Sequence, residues 1–340
     1  RRQWHRRSNE WSCSWAHCSA QWYDIGVIGV FDSGVGGLSV LREIVRLMPD
    51  EPFIYLADQA HVPYGSRSLT EVRRLTLRAV GWLIEQGCNP LVIACNTASA
   101  AALRALRELY PDRQFVGMEP AVKPAAAQTR TGIIGVLATP ATFQGELFAS
   151  VVTRFAAGVR VIEQTCPGWV DMVESGLAPA NPRLSDADRQ AGRRCVARYV
   201  EPLLETGVDT LVLGCTHFPF LAPWIEDMAA GWKSRHEAGA DCLAGARLID
   251  PGPAVARQTL RVRDIIVGEL QQSADHPFNV AIRHTSKRRR EFWTTGDPDT
   301  FNAIMWMLLP DWQGETSERL ALTERKPKKS DAPERVAQLT

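Results

Sequence analysis

The chain has 340 residues, of which 45% are hydrophobic and 23% are charged. This balance is typical of a soluble globular protein, and the length is sufficient for about two domains. The 39 basic and 38 acidic side chains leave a net charge of only +1, which argues against the strongly basic surface that binds nucleic acid.

The sequence contains no apolar run of the roughly 18 residues that a membrane span requires. Its N-terminus also lacks the uninterrupted apolar stretch of a secretory signal. Eight cysteines occur without a CxxC pair or a Cys/His cluster at zinc-ligand spacing. These features predict a cytoplasmic protein with free thiols, no bound metal and no membrane contact.

Both ends of the chain differ from the rest. Residues 1–23 carry four tryptophans and no apolar periodicity, and residues 313–340 are polar, charged and poor in large apolar side chains. We therefore predict a disordered N-terminal extension over 1–23 and a disordered C-terminal tail over 313–340.

Between these ends, short aliphatic runs alternate with segments of helical periodicity. "IGVIGVFD" at 25–32 is followed by a segment whose apolar residues fall on one helical face, and the strand-like "PFIYLAD" at 52–58 comes next. An amphipathic segment at 69–87 then leads to the strand-like "PLVIAC" at 90–95. Strands that are apolar throughout and alternate with helices predict parallel sheets covered on both faces.

The second half repeats this plan. "TGIIGVLATPAT" at 131–142 is similar to the first strand and its turn, and "LVLGCT" at 211–216 is similar to "LVIACN" at 91–96. We predict an α/β protein with two pseudo-symmetric domains, mainly parallel central sheets, and an active site in the cleft between the domains. Ligands of such sheets bind at the carboxyl ends of the strands, where both repeated motifs end.

The first strand ends in the glycine-rich turn "FDSGVGG". Its spacing fits neither of the common phosphate-binding loops, and the carboxylate of Asp32 would repel a phosphate. It would instead suit an ammonium group, while the glycines would let the backbone approach a ligand closely. The second strand leads to the turn "PYGSRS", which offers backbone N–H groups and a phenol.

Cys95 and Cys215 follow the two matched strands. A single cysteine in this position is usually a small buried apolar residue, but a matched pair beside hydrogen-bonding residues favours a chemical function. Helix N-termini and the nearby His217 would stabilise the thiolate form. Two thiols on opposite sides of a bound α-amino acid could remove its α-proton and return one to the other face, which would invert the amino acid.

Several segments together resemble the glutamate racemases of the aspartate/glutamate racemase family. They include "GVFDSGVGGLSVLRE", "YLADQAHVPYGSRS", "IACNTASAAAL", "CPGWVDMVESG", "LVLGCTHFPFL" and "LIDPGPAVARQ", and the resemblance extends roughly over 24–300. It implies interconversion of L- and D-glutamate without a cofactor, a supply of D-glutamate for peptidoglycan, and a homodimer.

The resemblance also implies roles for individual residues. The catalytic residues would be Cys95, Cys215, Asp32, Glu174 and His217. The substrate-binding residues would be Asp32, Ser33, Pro63, Tyr64, Gly65, Asn96, Thr97, Thr139, Thr216 and His217. The first domain would comprise residues 24–120 and 245–312, and the second domain would comprise residues 121–244. Gly168, Trp169 and Phe218 depart mildly from the pattern that this family usually shows.

Other functions stay open at this point. Related racemases use two thiols on aspartate or hydantoins, a related decarboxylase keeps one thiol, and a pyridoxal-phosphate racemase would need a Schiff-base lysine. Both thiols are present here, only Lys123 of the six lysines is near a candidate cleft, and the motifs favour glutamate. Some family members also contact DNA gyrase, so a binding role is a second possibility.

Overall fold

The computed structural model describes residues 27–236, 246–274 and 289–322. The predicted extension at 1–23 lies outside these ranges. Within them, no helix has the length and apolar character needed to cross a membrane.

The described chain alternates strands and helices. In chain order the strands are β1 (Ile28–Asp32), β2 (Phe53–Ala57), β3 (Leu91–Ile93), β4 (Phe115–Gly117), β5 (Ile133–Ala138), β6 (Arg160–Thr165), β7 (Thr210–Leu213), β8 (Arg247–Ile249), β9 (Arg290–Thr294) and β10 (Ser317–Arg319). The α-helices are α1 (Leu38–Leu47), α2 (Leu69–Glu85), α3 (Asn96–Leu109), α4 (Val122–Gln128), α5 (Pro140–Gln144), α6 (Glu146–Phe155), α7 (Trp169–Glu174), α8 (Asp186–Glu205), α9 (Ala222–His236), α10 (Gly252–Ala274) and α11 (Pro298–Leu308).

The strands form two separate parallel sheets. The first has the order β10-β9-β2-β1-β3-β4, and the second has the order β6-β5-β7-β8. Every residue of β1, β2 and β3 is buried, as expected of strands covered by helices on both faces. All registered pairs are parallel, which confirms the predicted α/β class.

Two predicted boundaries differ from the structure. β8 pairs with β7, so the chain is still in the second sheet after residue 245 and returns to the first domain through α10, which packs on α1. β10 pairs with β9, so the chain is ordered beyond 313. Each strand has only three residues, which is too short a pattern to recognise in the sequence.

One apolar cluster joins the two domains beneath the cleft. It includes Val35 and Leu38 from the first domain and Trp169, Leu213 and Phe218 from the second. The rings of Trp169 and Phe218 meet edge to face, with centroids 4.7 Å apart. Two of the three residues that depart from the usual family pattern therefore pack against each other.

Candidate active site

A single pocket collects most of the predicted site residues from both domains. Its lining consists of Ser33, Tyr64, Gly65, Cys95, Asn96, Thr97, Thr139, Val170, Cys215, Thr216 and His217. These residues lie at or just after the carboxyl ends of strands in the two sheets. The site therefore occupies the predicted cleft. Asp32, Pro63 and Glu174 are outside this lining, and Asp32 and Glu174 support residues that belong to it.

Cys95 lies at the first-domain side of the pocket. It is the N-cap of α3, where its Sγ accepts a hydrogen bond from Ala98 N at 3.4 Å and its thiol donates to Ser33 Oγ at 3.7 Å. Burial raises the pKa of this thiol to about 12, and the Asp32 carboxylate acts in the same direction. Cys95 is therefore a thiol at neutral pH and can donate a proton.

Cys215 faces it from the second domain and has a different neighbour. Its Sγ lies 3.7 Å from His217 Nδ1, and His217 Nε2 lies 2.7 Å from Glu174 Oε1. Burial alone would lower the pKa of His217, but the bonds to Cys215 and Glu174 raise it well above its ordinary value. A protonated His217 would place a positive charge beside Cys215 Sγ.

Asp32 bonds both to the turn that follows β1 and to the segment that follows β7. Its Oδ1 accepts a hydrogen bond from Gly34 N at 2.8 Å, and its Oδ2 accepts one from Thr216 Oγ1 at 3.0 Å. The side chain is fully buried, and burial raises the pKa of its carboxyl group, although the charge of His217 and the bond from Gly34 oppose this. Asp32 therefore orders both the glycine-rich turn and the tip that carries Cys215.

The glycines of "FDSGVGG" allow a close approach between the domains. A Cβ atom added to Gly34 would overlap the carboxylate of Glu174, and one added to Gly36 would overlap the ring of His217 and Thr216 Oγ1. The turn is thus glycine-rich because the second-domain groups pack directly on its backbone. This fits the sequence argument against a phosphate-binding loop.

Gly36→Ala is expected to displace the His217 ring and to lower kcat/KM for the reaction proposed below by about 10²-fold, because catalytic groups tolerate little misplacement. Gly268→Ala is the matched control, since an added Cβ at this helical position meets no atom within 4 Å. Steady-state kinetics of both variants checks this. Equal rates for the two variants would show that His217 adjusts without cost.

Asn96 presents a buried amide to the pocket. Its side chain is 3% exposed, and neither its oxygen nor its nitrogen has a hydrogen-bond partner among the described residues. An unsatisfied buried polar group costs about 1–3 kcal/mol. A polar ligand that supplies both a donor and an acceptor would satisfy it, as a zwitterionic amino acid can.

Three threonine hydroxyls lie where the domains meet at the pocket. Thr97 Oγ1 is 3.0 Å from Thr139 Oγ1 and 3.3 Å from Thr142 Oγ1, and the latter two oxygens are 3.0 Å apart. Gly65 packs against Thr139 so closely that an added Cβ would overlap it. Thr97 and Thr139 therefore offer adjacent hydroxyl donors to a carboxylate in the pocket.

The phenol of Tyr64 is hydrogen-bonded within the protein. Its hydroxyl donates to Asp58 Oδ2 at 2.6 Å, and Asp58 Oδ1 also accepts from Thr295 Oγ1 at 2.7 Å. The side chain of Tyr64 thus fixes the turn while Tyr64 also lines the pocket. Pro63 precedes it in the same turn.

A cluster of metal-ligating side chains or a lysine in the pocket would be a possible cofactor site among the described residues. No group of three or more His, Cys, Asp or Glu side chains in the described ranges is arranged to hold a metal ion. Lys123 Nζ lies 5.2 Å from the centroid of the Phe155 ring, and Lys123 does not line the pocket.

Comparison with known proteins agrees with this geometry. Residues 25–259 match the profile described as Asp/Glu/Hydantoin racemase. The chain belongs to this family. Its relatives include proteins named glutamate racemase from Pseudomonas entomophila (strain L48) and Stutzerimonas stutzeri (strain A1501). Each is 48% identical to this chain, over 281 and 284 residues respectively, which is 83% of this chain and 93% of the relative.

Solved structures of the same family share the fold. A glutamate racemase isoform from Bacillus anthracis superposes with a TM-score of 0.66 at 29% identity, covering 88% of this chain and 99% of that one. The Escherichia coli glutamate racemase in complex with L-glutamate and the activator UDP-MurNAc-ala gives a TM-score of 0.66 at 31% identity, covering 87% and 98%.

Some site contacts of this family member were not predicted from the sequence. Val170 lines the pocket, Ser39 Oγ donates to Thr216 O at 2.9 Å, and Tyr55 Oη donates to Gly34 O at 2.7 Å. Gln59 Nε2 donates to Glu174 Oε2 at 3.1 Å. Two of these residues could have been noticed in the sequence, because Ser39 is a polar residue on an apolar helix face and Tyr55 carries a hydroxyl within a buried strand.

Proposed function

We propose that this protein is a cofactor-independent glutamate racemase that interconverts L- and D-glutamate by proton transfer between the substrate and two cysteines. The observation that carries the proposal is that Cys95 and Cys215 line one pocket from opposite domains, each at the end of a matched strand. The names of the relatives that are 48% identical support glutamate as the substrate.

The reaction exchanges the α-proton between the two faces of the α-carbon. From L-glutamate, the Cys215 thiolate takes the α-proton, the C–H electron pair stays on the α-carbon, and the Cys95 thiol donates its proton to the other face. From D-glutamate, the thiols exchange these roles. The resemblance assigns Cys215 to the L-enantiomer and Cys95 to the D-enantiomer, and the Cys215–His217–Glu174 contacts support a base on the Cys215 side.

Charge stabilisation of the carbanion would come from donors to the substrate carboxylates. The unpartnered amide of Asn96 and the hydroxyls of Thr97 and Thr139 are suited to this task. The ammonium group of the substrate would offset the burial and the Asp32 charge that hold Cys95 as a thiol. The same residues would then bind the substrate and set the protonation of the thiols.

The biological role follows from the activity. We infer that the protein acts in the cytoplasm and supplies D-glutamate for peptidoglycan. The homodimer implied by the resemblance stays a prediction.

Circular dichroism of L-glutamate solutions tests the substrate. After dialysis against EDTA and without pyridoxal phosphate, the protein is expected to bring the signal to zero as the racemic mixture forms. L-Aspartate, one methylene shorter, is expected to react at least about 10-fold more slowly, as is typical of selection by one methylene. Faster turnover of aspartate, or activity only with added pyridoxal phosphate, would refute the proposal.

A further inference from the structure

The Glu174 carboxylate is held from both domains. Its Oε1 contacts His217 Nε2 at 2.7 Å and accepts from Val35 N at 2.8 Å, and its Oε2 accepts from Gln59 Nε2 at 3.1 Å. Glu174 and His217 belong to the second domain, whereas Val35 and Gln59 belong to the first. The first domain therefore supplies two of the three bonds that orient the acid partner of His217.

The amide of Gln59 has one orientation that satisfies its surroundings. A carboxylate accepts hydrogen bonds, so the nitrogen must face Glu174, and the oxygen then accepts from Thr294 Oγ1 at 3.3 Å. Thr294 is fully buried at the end of β9, where it pairs with Ala57 of β2. The amide oxygen of Gln59 is thus bonded to the first sheet through Thr294, and its amide nitrogen is bonded to Glu174.

We propose that Gln59 is a positioning residue that holds Glu174 against His217 and so maintains the base on the Cys215 side of the site. This rests on the proposed racemase function and extends it. His217 Nδ1 faces Cys215 Sγ, so a shift of Glu174 would be transmitted through the imidazole to that thiol. Cys95 is held by Ser33 and Ala98 instead, so its side of the site should be unaffected.

A general structural role would have a different consequence. Gln59 is half-buried and is not a member of the apolar clusters, so its replacement opens no cavity in the core. Looser contact between the domains would disturb both thiols, because both line the pocket between them. A selective effect on one thiol therefore distinguishes positioning of Glu174 from a loss of packing.

The two thiols can be measured separately with N-hydroxyglutamate. Abstraction of its α-proton lets the C–H electron pair form a C=N bond while the N–O bond breaks and hydroxide leaves as water. The imine then hydrolyses to 2-oxoglutarate and ammonia. Because this elimination needs only one base, the L-analogue reports on Cys215 and the D-analogue on Cys95, and neither rate is tied to the other by a reversible equilibrium.

Gln59→Leu is expected to slow elimination from the L-analogue about 10-fold, as for a lost hydrogen bond to a charged group, with less than about a 2-fold change for the D-analogue. The isosteric Gln59→Glu places a second carboxylate beside Glu174 and should slow elimination from the L-analogue further.

Gln86→Leu is the matched control, since this half-buried glutamine makes no side-chain hydrogen bond within the described part of the chain. In a Glu174→Gln background, Gln59→Leu should not slow elimination from the L-analogue any further, because Gln59 acts through Glu174.

Equal slowing of both analogues, or an additive effect in the Glu174→Gln background, would overturn the role of Gln59. Neither result would affect the proposed function, which is tested separately by the circular dichroism of glutamate and aspartate with the unmodified protein.

Discussion

Replacing either Cys95 or Cys215 with alanine is expected to lower racemisation of L- and D-glutamate by at least about 10³-fold, in both directions. Each direction requires one thiolate that takes the α-proton and one thiol that returns a proton to the opposite face. Alanine can do neither, and no other thiol lines the pocket among the described residues. The change in circular dichroism of each enantiomer measures both directions.

Cys195→Ala is the matched control for these variants. Cys195 is half-buried and does not line the pocket, so its replacement should leave the rate within about 2-fold of the unmodified protein, as for most changes away from a site. Full activity of either pocket variant would show that the reaction does not use two thiols.

Asp32→Asn is expected to lower turnover by about 10²–10⁴-fold, the range for a group that takes part in acid–base chemistry. The amide keeps the shape of the side chain but removes the charge that faces Cys95 and would face the substrate ammonium. Both hydrogen bonds can be kept, because the amide oxygen can accept from Gly34 N while the NH₂ group donates to Thr216 Oγ1, so the loss of charge is the main change. Values of kcat and KM for both enantiomers provide the measurement.

Asp209→Asn is the control that distinguishes the expected loss of turnover in Asp32→Asn from a loss of folding stability. Asp209 is also a buried carboxylate, and it accepts bonds from Thr129 Oγ1, Arg130 N and Thr131 N at 2.6–3.0 Å, but it does not line the pocket. This variant should have a lower Tm and a turnover close to that of the unmodified protein. If Asp32→Asn behaved in the same way, the glycine-rich turn would have only a structural role.

The sequence predicted the location of the site because parallel strands present their carboxyl ends at one edge of a sheet. "LVIAC" and "LVLGC" are unbroken apolar strands that end in the same residue, so both thiols could be assigned to strand ends and to a shared cleft. Asn96 and Thr216 were predicted because each directly follows one of the two cysteines, and Ser33 was implied by the family resemblance; all three line the pocket.

What the sequence did not reveal depends on contacts between distant segments. Gln59 and Glu174 are 115 positions apart, and Ser39 and Thr216 are 177 positions apart, so no local pattern connects them. The bond from the Tyr64 hydroxyl to Asp58 likewise cannot be recognised without the turn geometry. The assignment of β8 to the second sheet likewise depends on its pairing with β7 and not on its own three residues.

The facing arrangement of the thiols is tested most directly by N-hydroxyglutamate elimination in the two cysteine variants. Cys95→Ala should still convert the L-analogue to 2-oxoglutarate through Cys215 and should fail with the D-analogue, whereas Cys215→Ala should show the reverse. If both folded variants lost both enantiomers equally, or if either processed both, Cys95 and Cys215 would not act on opposite faces of one substrate.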